Sequence, residues 1–328
     1  MRTILVTLRQ TLQSLRLLWL LYGITLVLGL VVALPFYTTL KIEDQNSLAF
    51  LKLLNGFDYT VYSDFMHRSQ RVISPLFSAG RWLGLLYLFL SIFVAGGILL
   101  RFSQFKALFS VGAFLQGCSH YFGRFGRLFG VSVLFVVVGG GIWLVIGSLL
   151  AVLLNDTLTE RGQFWLGAGF FGLFALTVTL VLCIGDYAKV LMFREDEQGA
   201  FRAFGRAARL VLRNLGRTYG VYWLFIGIGT ILFGIYFLID AAITMSNWLT
   251  ILVMLIVQQS FIFARVLLKV WSLGTAYTLY ALLPKPSPAL RPSPMPEPVS
   301  TPELILVQDE NANPPTDDKP DQYERKDN

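Results

Sequence analysis

Gly126-Arg127 leads into LFGVSVLFVVVGGGIWLVIGSLLAVLL, residues 128–154, a stretch without a charged side chain. At about 1.5 Å per residue, a helix of this length crosses a hydrocarbon core of roughly 30 Å. The run lacks the two-residue alternation of a barrel strand, and a backbone in lipid has no water to bond, so a helix is expected. The pattern Gly126-Arg127-Leu128-Phe129-Gly130-Val131 returns as Gly216-Arg217-Thr218-Tyr219-Gly220-Val221, again where a basic stretch meets an apolar run.

Outward from this stretch, five more runs have the length to span: 17–40, 82–100, 164–193, 218–245 and 248–267. The expected fold is an all-α polytopic membrane helix bundle of six transmembrane helices over residues 1–283. Composition agrees, because 55% of residues are hydrophobic and only 14% charged, against about 25% charged in a soluble domain. The first run exceeds the apolar core of a secretory leader and reads as an uncleaved anchor.

Basic residues are retained on the cytoplasmic side of a bilayer. Arg2, Arg9 and Arg16, the segments after the second and fourth runs, and Arg265, Lys269, Lys285 and Arg291 after the last carry most of them. The opposite loops carry Lys41, Lys52, Arg68, Arg71, Arg81 and Arg161. Both termini are therefore expected in the cytoplasm. The net charge of +7 lies beside the spans, where anionic headgroups of the lipid bilayer are the natural counter-charge, so nucleic acid is not an expected partner.

Aligned on Gly23, Gly130 and Gly220, the chain reads as three repeats, each an amphipathic interfacial helix followed by a transmembrane hairpin. The best-formed surface helix is expected from Asp196 to Arg217. Phe201, Phe204, Ala208, Val211 and Leu215 share one face of it, and Arg202, Arg206, Arg209, Arg213 and Arg217 the other. Such a helix suits first the headgroup layer, where it fixes orientation, with a docking face for an acidic cytosolic or membrane protein partner as the alternative. Its acidic opening, Glu195-Asp196-Glu197, suits a helix N-terminus.

Charged groups at membrane depth are costly and normally face protein or water. Asp186, Lys189, Arg265 and Lys269 fall at the inner ends of returning helices, with Gln258 and Gln259 deeper, and together they form a candidate polar vestibule. Asp186 has Lys189 or Arg265 as its partner. Gly139, Gly140, Gly141 and Gly147, and the series Gly220, Gly227, Gly234, mark expected helix-packing seams. In the fourth span, Ala168, Gly172, Ala175, Thr179, Cys183 and Asp186 form a stripe read either as a seam or as a conduit.

No reaction is named by these residues. Cys118, Cys183, His67 and His120 lack the clustering that a metal or a disulfide framework needs. His-Glu-x-x-His and phosphate-loop motifs do not occur. Ile184-Gly185-Asp186 and Leu238-Ile239-Asp240 look like an aspartyl pair, but lie at opposite ends of their spans. The expectation is a protein without catalysis, cofactor or metal. Beyond Leu283 most of the 13 prolines accompany acidic and amide residues, the composition of a disordered Pro-rich cytoplasmic tail, 284–328, in which Leu304 to Val307 form one apolar island.

The three-unit layout and the sequence Arg213-Asn214-Leu215-Gly216-Arg217 resemble the six-helix bacterial membrane proteins akin to the membrane domain joined to some glycerophosphodiester phosphodiesterases. That resemblance covers residues 1–283 and implies a fold neighbourhood and a bacterial cytoplasmic (inner) membrane. It implies no substrate or catalytic residue. The functional expectation is a membrane scaffold or regulatory protein; the alternative is a small transporter or lipid-handling permease using the vestibule.

Overall fold

In the computed structural model each of the six apolar runs forms a helix over its described residues, the fifth as far as Ala242. The structure describes residues 2–44, 59–68, 70–105, 107–154, 159–243 and 247–283. Its helices are α1 (Arg2–Gln13), α2 (Leu15–Asp44), α3 (Tyr59–Arg68), α4 (Gln70–Ser103), α5 (Val111–Leu153), α6 (Glu160–Glu195), α7 (Ala200–Arg213), α8 (Leu215–Ala242) and α9 (Trp248–Leu282). Six of them, α2, α4, α5, α6, α8 and α9, are long and apolar enough to cross a membrane. The fold is an all-α bundle of a multi-pass membrane protein. Contacts divide the chain into a unit of Met1–Lys285 and a second of Pro286–Asn328. The expected tail, the apolar island at Leu304 to Val307, and the stretch Leu48 to Leu54, whose apolar pattern suggests a short amphipathic helix in the loop after the first run, lie outside the described residues.

Several helices outrun the bilayer. The 43 residues of α5 rise about 65 Å and the 35 of α9 about 52 Å, against a core of roughly 30 Å. The excess lies at the arginine-rich end, called here the basic end. The last helix, expected to end near residue 267, continues to Leu282 and buries Val266, Val270, Leu273, Gly274, Thr275, Ala276 and Tyr280. It is the hub of the bundle, packed against α1, α2, α4, α6 and α8.

The hydrophobic core follows from where water is. At the basic end Leu17, Leu18, Ile98, Leu99, Phe125, Leu128, Val190, Met192, Val211 and Val270 are almost fully enclosed. Toward the other end the helices part: Leu144 is 71% exposed, Phe171 72% and Phe237 61%. Burial in water is driven by apolar area, whereas lipid solvates Leu and Phe as well as another helix does. A dense core is therefore needed where the helices run on beyond the lipid, as α5 and α9 do at the basic end.

Helix seams form where glycine permits close approach. A Cβ on Gly96 would sit 2.7 Å from the Gly117 carbonyl oxygen, and one on Gly97 would sit 2.4 Å from the Phe114 ring, so α4 meets α5 nearly backbone to backbone. Gly139, Gly140 and Gly147 face Thr177, Phe174 and Phe170 of α6, as the seam reading expects, whereas Gly141, also expected there, points to open space with nothing within 4 Å. Gly220, Gly227 and Gly234 differ, with no neighbour within 4 Å: the face of α8 turned to the bundle is set by Phe225 and Gly229 instead.

Two helix breaks are built alike. Between α1 and α2 the amide of Ser14 donates to Thr11 (3.0 Å), and those of Leu17 and Leu18 to Ser14 (3.0 and 3.2 Å). Between α7 and α8 the amide of Asn214 donates to Val211 (3.1 Å), and those of Arg217 and Thr218 to Asn214 (both 3.0 Å). The equivalent positions thus differ by 200, three more than the alignment on Gly23 and Gly220 requires. In α5 the amphipathic stretch Val111 to Arg127 joins its span without a break.

Candidate functional site

The basic end is organised by a short acidic turn. Glu195 ends α6, Asp196 adopts a left-handed conformation at φ 50°, and Glu197 precedes α7, so these acids do not open the surface helix as expected. Tyr280 of α9 donates to Glu195 at 2.6 Å. Arg206 pairs with Glu195 and also with Glu197 at 3.1 Å, Arg202 reaches Glu197 at 3.5 Å, and Arg124 of α5 pairs with Asp196. Arg194 lies 4.1 Å over the Tyr277 ring. Three consecutive acids thereby join α5, α6, α7 and α9.

α7 starts at Ala200 and stops at the Asn214 break, shorter than the expected Asp196 to Arg217. It buries Ala203, Phe204, Ala207, Leu210 and Val211, while Phe201 is 64% and Leu215 42% exposed and Ala208 is half-buried. The buried face is thus rotated from the expected one. Small side chains at 203 and 207 let the helix approach α5 and α6 closely, which leaves Phe201 at the edge. At about 100° per residue the buried set spans an arc of about 120°, Arg202, Arg206, Arg209 and Arg213 one of about 60°, and Phe201, Ala208 and Leu212 a narrow apolar strip between. Arg202 and Arg206 are engaged by acids. Among the described residues, Arg209, Arg213 and Arg217 carry no ion pair or hydrogen bond and are exposed.

The vestibule residues divide into three groups. Asp186 pairs with Lys189 one turn along α6, at 2.8 Å, rather than with Arg265. Gln259 accepts from the Tyr22 hydroxyl of α2 at 2.8 Å, and Gln258 donates to Tyr236 of α8 at 3.4 Å. These amides tie α9 to its neighbours and do not line a cavity together with the charges. Arg265 and Lys269 do line cavities, one on each side of α9. The cleft between α6, α8 and α9, about 470 Å³, includes Asp186, Tyr222 and Ser272. The cleft between α2, α4 and α9, about 540 Å³, includes Thr25, Gly29, Tyr87 and Ser91. The Lys269 ammonium donates to Ser91 at 2.7 Å, and Arg265 is exposed.

The fourth-span stripe is packed at its basic end, where Cys183 is fully enclosed. Thr179 shares a hydrogen bond with Tyr219 at 2.9 Å. Both cysteines are buried and free. His67 lines a recess beside Tyr62 and Arg81 far from them in sequence, and His120 packs edge-on to Tyr121. Sequence reasoning missed Ser91, Tyr87 and Tyr22, polar groups that interrupt long apolar runs and whose only signal is that interruption. It also read Arg16 and Arg101 only as orienting charges, whereas they line one recess of about 470 Å³ at the α1–α2 break. Compared with known proteins, the chain matches no family model, no curated protein and no solved structure.

Proposed function

We propose that this chain is a non-enzymatic scaffold or regulatory protein of a bacterial cytoplasmic membrane, with both termini in the cytoplasm and its basic end against anionic headgroups. The single observation that carries this reading is α7. One face is docked on the bundle, the Phe201, Ala208 and Leu212 strip is directed to acyl chains, and Arg209, Arg213 and Arg217 remain for headgroup phosphate or an acidic cytosolic partner. The Thr7 and Thr275 hydroxyls, 2.9 Å apart, hold the first and last helices at the same end, which supports placing both termini on one side. The similarly bonded breaks at Ser14 and Asn214, although three positions out of step with the glycine alignment, support reading the first and third units as repeats. The resemblance to membrane domains joined to phosphodiesterases fits the same setting.

The test is purification of wild type and of Arg209→Gln/Arg213→Gln/Arg217→Gln in mild detergent, with quantification of bound anionic lipid and co-purifying proteins. Each basic group beside an anionic surface contributes about 1 kcal/mol, screened by salt, so recovery should fall tenfold or more in the triple variant. Equal recovery rejects the reading. The permease alternative is favoured by Arg265 and Lys269 lining two clefts. It requires that Asp186→Asn and Arg265→Gln abolish the cellular phenotype while deletion of 284–328 spares it.

A further inference from the structure

The geometry points to a specific lipid site in the cleft between α2, α4 and α9, in which a phospholipid of the basic-end leaflet places its anionic phosphodiester on Lys269 and Arg265 and an acyl chain along Thr25 and Gly29. The site stands apart from α7 and does not rest on the reading above.

Charge is the first argument. Two cations line this cleft, and none of its lining residues is acidic. The nearest carboxylate of the vestibule set, Asp186, lines the other cleft and already holds Lys189 at 2.8 Å. Within this cleft Lys269 has neutral company, the Ser91 hydroxyl at 2.7 Å and the Tyr87 ring 5.9 Å away, while the one carboxylate it meets across α9, Asp186, is already held by Lys189. Arg265 has no hydrogen bond or ion pair among the described residues. Cations at the edge of a hydrocarbon layer are retained where an anion or water compensates them. A lipid phosphodiester supplies that anion.

Depth is the second argument. From Trp248 to Lys269 the helix rises about 32 Å, the thickness of the hydrocarbon core, so Lys269 lies at its boundary on the basic side. The Tyr22–Gln259 hydrogen bond of 2.8 Å sets α2 against α9, and Leu15 at the start of α2 falls near the same boundary. Thr25 and Gly29 follow along α2, farther from that boundary and lining the same cleft. The cleft therefore begins with cations at headgroup level and continues between apolar walls into the leaflet. Free phosphate matches the first part alone; a diacyl phospholipid matches both.

Native mass spectrometry of the full chain tests this, with added dioleoylphosphatidylglycerol, dioleoylphosphatidylcholine or inorganic phosphate. Wild type should retain the anionic lipid about tenfold better than the zwitterionic one, and inorganic phosphate should not displace it. Lys269→Gln, which keeps a donor for Ser91, should abolish the preference. Gly29→Phe, on an open wall where a Cβ meets nothing within 4 Å, should reduce retention of both lipids with all charges present. Thermal unfolding matched to wild type shows that each variant is folded. Equal retention of both lipids by wild type, or unchanged retention in Gly29→Phe, overturns the site; displacement by inorganic phosphate overturns the lipid in favour of a free anion. The α7 triple variant should leave this preference intact, so the two tests fail separately.

Discussion

Replacing Gly97 with alanine adds one methyl group to α4 at its closest approach to α5. The new Cβ would lie 2.4 and 2.5 Å from two ring carbons of Phe114 and 2.6 Å from the Cys118 sulfur. Neither neighbour has room to withdraw, since Phe114 is 3% exposed and Cys118 0%. Alanine is the better helix former by about 1 kcal/mol, but overpacking a tight core costs about 1–3 kcal/mol and more where the backbone must shift. With three contacts below 3 Å the cost falls at the upper part of that range, so the net loss should be about 1–2 kcal/mol, which for a helical unit of this size lowers Tm by about 2–6 °C. The assay is thermal unfolding of detergent-purified protein followed by size-exclusion fluorescence. Gly227→Ala, with open space at its Cβ, is the control and should be neutral or slightly stabilising. Gly97→Ala/Phe114→Leu should recover part of the loss, because leucine lacks the ring atoms nearest the new methyl. A Gly97→Ala protein as stable as wild type would refute close α4–α5 packing as the structural basis of the basic end.

Thr7→Val removes the 2.9 Å contact between the α1 and α9 hydroxyls, but Thr275 keeps its bond to the Trp271 carbonyl at 2.8 Å, so the cost should be about 1 kcal/mol or less, and limited proteolysis should cut α1 sooner than in wild type. Glu195→Gln keeps an acceptor for Tyr280 but removes the charge facing Arg206, whose side chain is 42% exposed. Screening limits the loss to about 1 kcal/mol or less, and thermal unfolding should show the difference from wild type shrinking as salt is raised; a difference independent of salt would discount the ion pair.

Hydropathy made the spans legible because about 20 apolar residues in lipid have one economical conformation. The seam at Gly139, Gly140 and Gly147 was legible for a related reason: small residues in a span mark where another backbone passes close. The site was only partly legible. Asp186 was expected to choose between Lys189 and Arg265, and the one-turn neighbour holds it. Gln258 and Gln259 look like vestibule residues in sequence, yet two tyrosines from different helices take them as bonding partners. Lys269 meets Ser91, 178 positions away, a pairing that no local pattern carries.

What the amino-acid order alone established was the all-α class, the six crossings and the basic end, all consequences of local hydropathy and charge. Tertiary packing decided which face of α7 docks, which glycines are seams, and how Arg265 and Lys269 stand between two clefts. Periodicity shows that a helix has faces, but the choice among them depends on the shape of the surface it meets. Ala203 and Ala207 fit that surface more closely than Phe201 does.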